Sequence, residues 1–455
     1  MFQKILIANR GEIAVRIIRA CREMGIRTIA VYSKADEHAL HTQLADQRIC
    51  IGPKNARDSY LNMDRIISAA KITKADAIHP GFGFLSENSE FARKCEENDI
   101  VFIGPSPEVM DSMGNKSQAR NTMEAAGVPV VPGTKDPIYD AEKGKILADR
   151  IGYPVMVKAS AGGGGKGMRI VSSSDEFISL FNTAQKETVN AFGDDTMYIE
   201  KYIQSPRHIE FQILGDQYGH VIHLGERDCS LQRKHQKLLE ESPSPALDHT
   251  LRKKMGQAAV KAAKAVGYYS AGTIEFLLDQ SGAFYFMEMN TRIQVEHPVT
   301  EMVTGVDLIE QQIRVAAGEP LSYRQEDIRI EGHAIECRIN AEIPEKNFMP
   351  SPGTVTGIHL PGGNGVRVDT LLYSGCTIPA VYDSMIAKVI VHGKDRDTAI
   401  RKMRTALYEM VVSGVSTNIY FQYQLLDHPR VKEGTVTTAF IEEYLEENEK
   451  EISYD

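Results

Sequence analysis

The residues best suited to chemistry are concentrated between Gly272 and Pro298. There an apolar run, Phe284 to Met287, gives way to Glu288, Asn290, Arg292, Gln294 and Glu296 at every second position. A second apolar run just upstream carries a single acid, Glu275, and the intervening Asp279-Gln-Ser-Gly282 has the composition of a hairpin loop. In a β-hairpin the two-residue period puts Glu275, Glu288 and Asn290 on one face. Carboxylates brought together and stripped of water repel unless a cation or a shared proton lies between them. Magnesium is the expected cation, because it takes hard oxygen ligands, usually one or two carboxylates plus nucleotide phosphates, and Asn290 adds a neutral oxygen. The plainer alternative, solvated acids on an exposed strand edge, suits Glu275 poorly, since it stands inside an otherwise apolar strand. Arg292, Gln294 and Glu296 place an anion-binding group and a candidate base just beyond the metal.

These side chains need a scaffold, and the chain opens as one. Lys4–Ala8 reads as a buried strand, Glu12–Met24 as an amphipathic helix and Arg27–Tyr32 as a second strand, a βαβ start. The pattern continues with a helix over Tyr60–Lys71, a strand over Ala75–His79 and a helix over Glu87–Asn98. The first turn, Asn9-Arg10-Gly11, lacks the glycine spacing of a dinucleotide site, so the domain reads as structural. After a short strand at Val101–Ile103, a polar helix runs through Glu124 and carries Lys116. Ala126–Gly133 is a proline and glycine hinge that opens a smaller domain.

In that domain the strand Pro154–Lys158 is followed by Ser160-Ala-Gly162-Gly163-Gly164-Gly165-Lys166-Gly167 and a strand over Met168–Val171. With no helix after the glycines and no Ser or Thr after Lys166, neither the dinucleotide fingerprint nor the P-loop applies. A lid remains, whose bare amides wrap phosphates while Lys158 and Lys166 supply charge. Met197–Ile203 is a strand leaving the domain. The cluster from Glu226 to Lys237, which holds Gln232 and His235, looks too basic and too interrupted for core. It is either a solvated charge run or an anion-binding loop, and its place between hinge and hairpin favours the second. Farther on, Gly332–Glu342 reads as a strand with a buried arginine, Arg338, which needs an anionic substrate or an ion pair with Glu336 or Glu342. Ala380–His392 alternates like an antiparallel layer, and Asp397–Val411 reads as a helix.

At 455 residues the chain has room for about three domains. Its net charge of -9 argues against a general nucleic-acid binder, so phosphate contacts must be local. Six scattered cysteines without a C-x-x-C pair suggest neither zinc nor disulfides. With no signal peptide and no membrane-spanning run, a cytoplasmic location is expected.

Taken together, the opening Ile7-Ala-Asn-Arg-Gly-Glu-Ile-Ala14, the Gly162–Met168 loop and the block Glu288-Met-Asn-Thr-Arg-Ile-Gln-Val-Glu-His-Pro298 resemble biotin carboxylase of the ATP-grasp superfamily. The likeness runs to the C-terminal helices. It departs at Lys166, where arginine is common in the family, which keeps charge but not bidentate reach. The resemblance implies an α/β and α+β multidomain fold: a doubly wound α/β domain over 1–114, an ATP-grasp small domain over 115–203 with its lid from about 131, a large ATP-grasp domain over 204–330 with the metal hairpin, and an antiparallel-sheet C-terminal domain over 331–455. It implies a ligase that turns MgATP, bicarbonate and biotin into carboxybiotin through carboxyphosphate. Lys116, Lys158, the glycine loop and His208 would grip phosphate and nucleotide, Glu200, Lys201 and Ile203 the ribose and adenine, with Gln232, His235 and Lys237 as further nucleotide contacts. Glu275, Glu288 and Asn290 would bind the metal, magnesium or manganese. Arg292, Gln294 and Val295 would bind bicarbonate, Glu296 would be the base, and Arg338 would stabilise the biotin enolate. The chain lacks a Met-Lys-Met acceptor, so biotin is expected on a separate carrier protein, with carboxyltransferase partners as in acetyl-CoA carboxylase and fatty-acid synthesis. A homodimer is also implied. The competing readings are part of a pyruvate or other acyl-CoA carboxylase, or a silent nucleotide-binding regulator.

Overall fold

A computed structural model describes residues 1–159, 167–192 and 194–452. It divides into two compact units. Unit 1 comprises Met1–Gly114, Arg207–Glu275 and Met289–Asp455; unit 2 comprises Asn115–Pro206 and Phe276–Glu288. No helix among the described residues is long and apolar enough to cross a membrane.

Unit 1 begins with five parallel strands, β1 (Lys4–Ile7), β2 (Arg27–Ser33), β3 (Gln47–Gly52), β4 (Ala77–His79) and β5 (Val101–Phe102), in the order 3-2-1-4-5. Alternate residues of these strands serve opposite faces. Ile5, Ile7 and Ala77 pack with the helix Gly11–Glu23, while Leu6, Ala8, Val31 and Ile78 join a second core containing Tyr60 and Phe91. Covering both faces is what parallel strands with helical crossovers require, and it explains their unbroken apolar runs. The expected Tyr60–Lys71 helix spans Met63–Thr73, because Asn62 caps it by accepting the Arg65 N–H. The edge strand β3 was not legible, being polar in sequence and half exposed.

Unit 2 holds a three-stranded antiparallel sheet, β6 (Val155–Ala159), β7 (Met168–Val171) and β8 (Met197–Lys201), in the order 7-6-8. Val155, Val157, Ile199 and Phe177 form its core beneath the helices Ala141–Ile151 and Phe177–Phe192. The expected strand on either side of the glycine run is present; Gly162, Gly163, Gly164, Gly165 and Lys166 lie outside the described residues. The helix predicted through Glu124 is two helices, Pro107–Gly114 and Lys116–Ala125, since the Asn115 side chain caps the second by accepting the Gln118 N–H. Gly114 and Asn115 mark the boundary between the units.

The remaining sheet has eight strands. β9 (Arg207–Gly215), β10 (Val221–Arg233), β11 (Gln236–Ser242), β12 (Ser270–Leu278), β13 (Phe284–Asn290) and β14 (His333–Asn340) are joined by Val366–Thr370 and Met385–Gly393, with β13 at one edge next to β12 and Val366–Thr370 at the other. In its C-terminal half, Leu239, Cys337 and Val389 stand in one row and face an apolar core that includes Met403 and Phe440. The neighbouring rows are charged. Glu240 pairs with Glu336, and Arg338 with Lys388, which pairs in turn with Asp369. Period-two alternation thus gives this sheet one apolar face and one face of buried charge, and the helix His297–Thr304 packs against the latter through Val299 and Val303.

Candidate active site

The stretch from Glu226 to Lys237 is neither a solvated run nor a loop. It forms the β10–β11 hairpin, turning at Lys234 and His235, which take left-handed backbone angles of 48° and 64° in φ. Glu226 through Gln232 are buried. Charge in this stretch is compatible with burial because each group is met by its opposite. Arg227, fully buried, donates through Nε to Glu210 at 2.6 Å, through Nη1 to Gln212 and Thr300, and through Nη2 to Gln294 at 2.7 Å and Thr273. A guanidinium carries five donors, and all five are used here.

Lys237 stands at the centre of the acids. Its Nζ lies 2.6 Å from Glu210, 2.6 Å from Glu296 and 3.1 Å from Glu275. Burial works against its charge, but the three carboxylates outweigh that and hold its proton affinity well above the ordinary lysine value. Glu296 shows the mirror effect. Burial would raise its pKa, yet Lys237, Arg338 and Arg227 hold it well below the carboxylate range. Arg338 donates through Nε to Glu240 at 2.6 Å and through Nη2 to Glu296 at 2.9 Å. Its partners are therefore across the sheet, rather than Glu336 or Glu342; Glu342 is instead approached by Asn340 and Ser384. Glu296 occupies the N-cap position of the helix His297–Thr304 without capping it, and Arg292 pairs with Glu87 at 2.9 Å. The Glu296 carboxylate therefore neither pairs with Arg292 nor caps this helix.

Behind Glu296 the acids are protonated more readily. Burial, reinforced by Glu296 against the pull of Arg338, pushes Glu240 up to about 7. Its cross-strand neighbour Glu336 is raised further by burial, and neither of its carboxyl oxygens has a hydrogen-bond partner among the described residues.

Glu275 is approached from three directions. Its Oε1 accepts from Asn290 Nδ2 and Gln294 Nε2, each at 2.8 Å, and its Oε2 lies 2.9 Å from His208 Nε2. The Asn290 oxygen accepts from Arg292 at 3.0 Å. Hard oxygens held on buried strands suit magnesium, and the ammonium of Lys237 supplies positive charge among the same acids. His208, Glu210 and Glu275 also present ligand atoms within 4.8 Å of one another, as do Glu210, Cys229 and Glu296. The second set suits magnesium less, since burial pushes the Cys229 thiol well up and sulfur is a soft ligand.

Gln232 is buried and pairs in register with Lys237, while His235 is exposed on the hairpin turn. The Val295 carbonyl accepts from Lys388 at 2.8 Å. In unit 2, Glu288 lies 3.7 Å from the exposed Lys116. Lys158 pairs with Glu200 at 2.6 Å, and Lys201 donates to the carbonyls of Gly152 and Tyr153. Ile203 follows two residues after β8, and Gly167, with φ of 72°, opens β7.

Arg227, Glu210, Glu240 and Glu87 were missed in the sequence. Glu210 had a signal, because it alternates with His208 and Gln212 on one strand. Arg227 had none apart from its place among acids.

Comparison with known proteins covers nearly all of the chain. Family models match in three consecutive parts: biotin carboxylase, N-terminal domain, over 1–110; carbamoyl-phosphate synthase L chain, ATP binding domain, over 115–324; and biotin carboxylase C-terminal domain over 336–443. Biotin carboxylase 1 of Bacillus subtilis is 60% identical over 445 residues, 98% of this chain and 99% of that protein. The crystal structure of a biotin carboxylase–β,γ-ATP complex from Campylobacter jejuni is 51% identical with a TM-score of 0.92, covering 97% of this chain and 99% of that one. The biotin carboxylase domain dimer of Hydrogenobacter thermophilus 2-oxoglutarate carboxylase, in complex with MgADP, ADP and bicarbonate, is 52% identical with a TM-score of 0.91, covering 98% of each chain.

Proposed function

The chain belongs to the biotin carboxylase family, and from that premise we propose how its own residues divide the work. The reaction is the ATP-dependent carboxylation of biotin, with bicarbonate as the carbon source and magnesium accompanying the nucleotide. The observation that carries the assignment of roles is the position of Glu296, an ionised carboxylate held between Lys237 and Arg338 out of contact with bulk water.

Glu296 takes the proton of bicarbonate, and the freed oxygen attacks the γ-phosphorus of ATP to give carboxyphosphate and ADP. Arg292, Gln294 and the backbone at Val295 orient the anion. The C–O bond of carboxyphosphate breaks to give carbon dioxide and phosphate, the phosphate takes the N–H proton of the biotin ureido group, and the nitrogen forms its bond to the carbon of carbon dioxide. Arg338 stabilises the oxyanion on the ureido carbonyl, since Glu240 and Glu296 leave part of its five-donor set for substrate. Glu275, Glu288 and Asn290 hold magnesium, which offsets phosphate charge when bound. Lys116, Lys158, the 162–167 loop and His208 grip phosphates. Glu200, Lys201 and Ile203 hold ribose and adenine, with Gln232, His235 and Lys237 assisting.

The segments 1–114, 115–203, 204–330 and 331–455 are the corresponding functional divisions. Biotin arrives on a separate carrier protein, the enzyme is a cytoplasmic homodimer, and it serves acetyl-CoA carboxylase in fatty-acid synthesis. A 2-oxoglutarate carboxylase domain of equal likeness makes another acyl acceptor the second reading. Measuring ATP hydrolysis with bicarbonate, with and without free biotin, tests the assignment: turnover stimulated by biotin supports it, and a nucleotide-binding protein without biotin-stimulated turnover overturns it. Reconstitution with carboxyltransferases of either class then identifies the acceptor.

A further inference from the structure

Lys388 is fully buried in the strand Met385–Gly393, and its Nζ donates to the Val295 carbonyl at 2.8 Å. A buried ammonium needs a reason. Its remaining partners are Glu12 at 3.2 Å, from the helix Gly11–Glu23, and Asp369 at 3.9 Å, from the adjacent strand. Glu336, one strand over, also faces it, as do Arg367 and, from the covering helix, His297. Burial opposes the charge, but Glu12, Glu336 and Asp369 more than offset it, so the ammonium stays protonated.

The geometry points to Lys388 as a positioning residue for Glu296. The carbonyl it grips belongs to the planar peptide that joins Val295 to Glu296, so fixing that carbonyl fixes the plane from which the Glu296 side chain departs. Lys388 is also the direct cross-strand neighbour of Arg338, whose guanidinium holds the Glu296 carboxylate. Two adjacent strands therefore clamp one residue, the backbone from Lys388 and the carboxylate from Arg338. Held at both ends, the carboxylate meets its substrate without a search among rotamers, and displacement of a reacting oxygen by about an ångström costs roughly 10²-fold in rate. The inference rests on Glu296 being the base, as proposed above.

Replacing Lys388 alone leaves Glu12 and Asp369 buried with one cation fewer, so the test uses Lys388→Met and the double variant Glu12→Gln/Lys388→Met. In the double variant Asp369 keeps its 2.7 Å pair with Arg367, and the neutral amide removes the stranded acid. Steady-state kinetics with bicarbonate and free biotin, ATP affinity and Tm are measured on each, beside Glu296→Gln. Expected for the double variant are near-wild-type Tm and ATP affinity with turnover lower by about 10-fold or more, and a raised KM for bicarbonate. A folded double variant with wild-type turnover and bicarbonate KM overturns the positioning role, provided Glu296→Gln is inactive. If Glu296→Gln itself stays active, the base assignment falls, and with it this inference. Equal losses in ATP affinity and turnover overturn it too, because they mark general damage to the fold.

Discussion

Lys237 Nζ and a Glu296 carboxyl oxygen lie 2.6 Å apart in a buried cluster that also contains Glu210 and Glu275. One ammonium thus serves three acids, and its removal takes the shared opposite charge from all of them. The pair sets how Glu296 can act. Low proton affinity keeps it ionised, as the proposed proton acceptor must be.

Glu296→Gln keeps ATP affinity and lowers biotin-dependent turnover by about 10²-fold or more. Because Lys237, Arg338 and Arg227 depress the pKa of Glu296, the acid limb of the wild-type pH–rate profile for kcat/KM is expected below the usual carboxylate range. Residual activity of the variant lacks that limb. Lys237→Met should move the limb of the remaining activity upward, since the strongest opposing charge is gone. A pH–rate series on the three proteins checks this.

Arg338→Gln is expected to lose biotin-dependent turnover by about 10²-fold while binding ATP normally, if the guanidinium acts on the ureido oxyanion as proposed. Comparing biotin-dependent turnover with nucleotide affinity separates this from a structural effect, which would lower both.

Arg227 is a different case. It supports Glu210 and Gln294 and reaches no exposed surface. Arg227→Met leaves buried acceptors without donors and should cost about 3–5 kcal/mol of stability. Urea denaturation measures it, and a loss below about 1 kcal/mol would show that the network relaxes around the gap.

Glu241 offers a test of pH dependence away from the catalytic groups. Burial would raise its pKa, but His333 at 2.7 Å and Arg396 at 2.7 Å bring it down to about 2. A folded pKa below the unfolded one means that the unfolded chain binds the proton more tightly, so stability from this group is full above about 4.5 and is lost as pH falls toward about 2. The stability difference between wild type and Glu241→Gln should therefore be largest near neutrality and shrink through that window. Denaturant titrations at a series of pH values follow it.

Much of this architecture was legible from residues alone. The βαβ opening followed from apolar runs broken by helical periodicity, and Phe284–Asn290 was legible as a strand because alternation sorts side chains by face whatever the partner strand. Chain order also separated the glycine run from a P-loop, since a strand and no helix follows it. What sequence could not decide was pairing across the sheet. Arg338 had acids two positions before it and four after it, yet it binds Glu240 and Glu296, which lie 98 and 42 residues away. The Glu226–Lys237 stretch looked like surface because charge burial depends on partners, and those partners, Glu210, Glu275, Gln294 and Glu296, come from other strands and loops. Local sequence sets which side of a strand a residue occupies; only register and the bulges in β10 determine which opposite charge it meets. In a buried site that meeting decides whether a charge is tolerated at all.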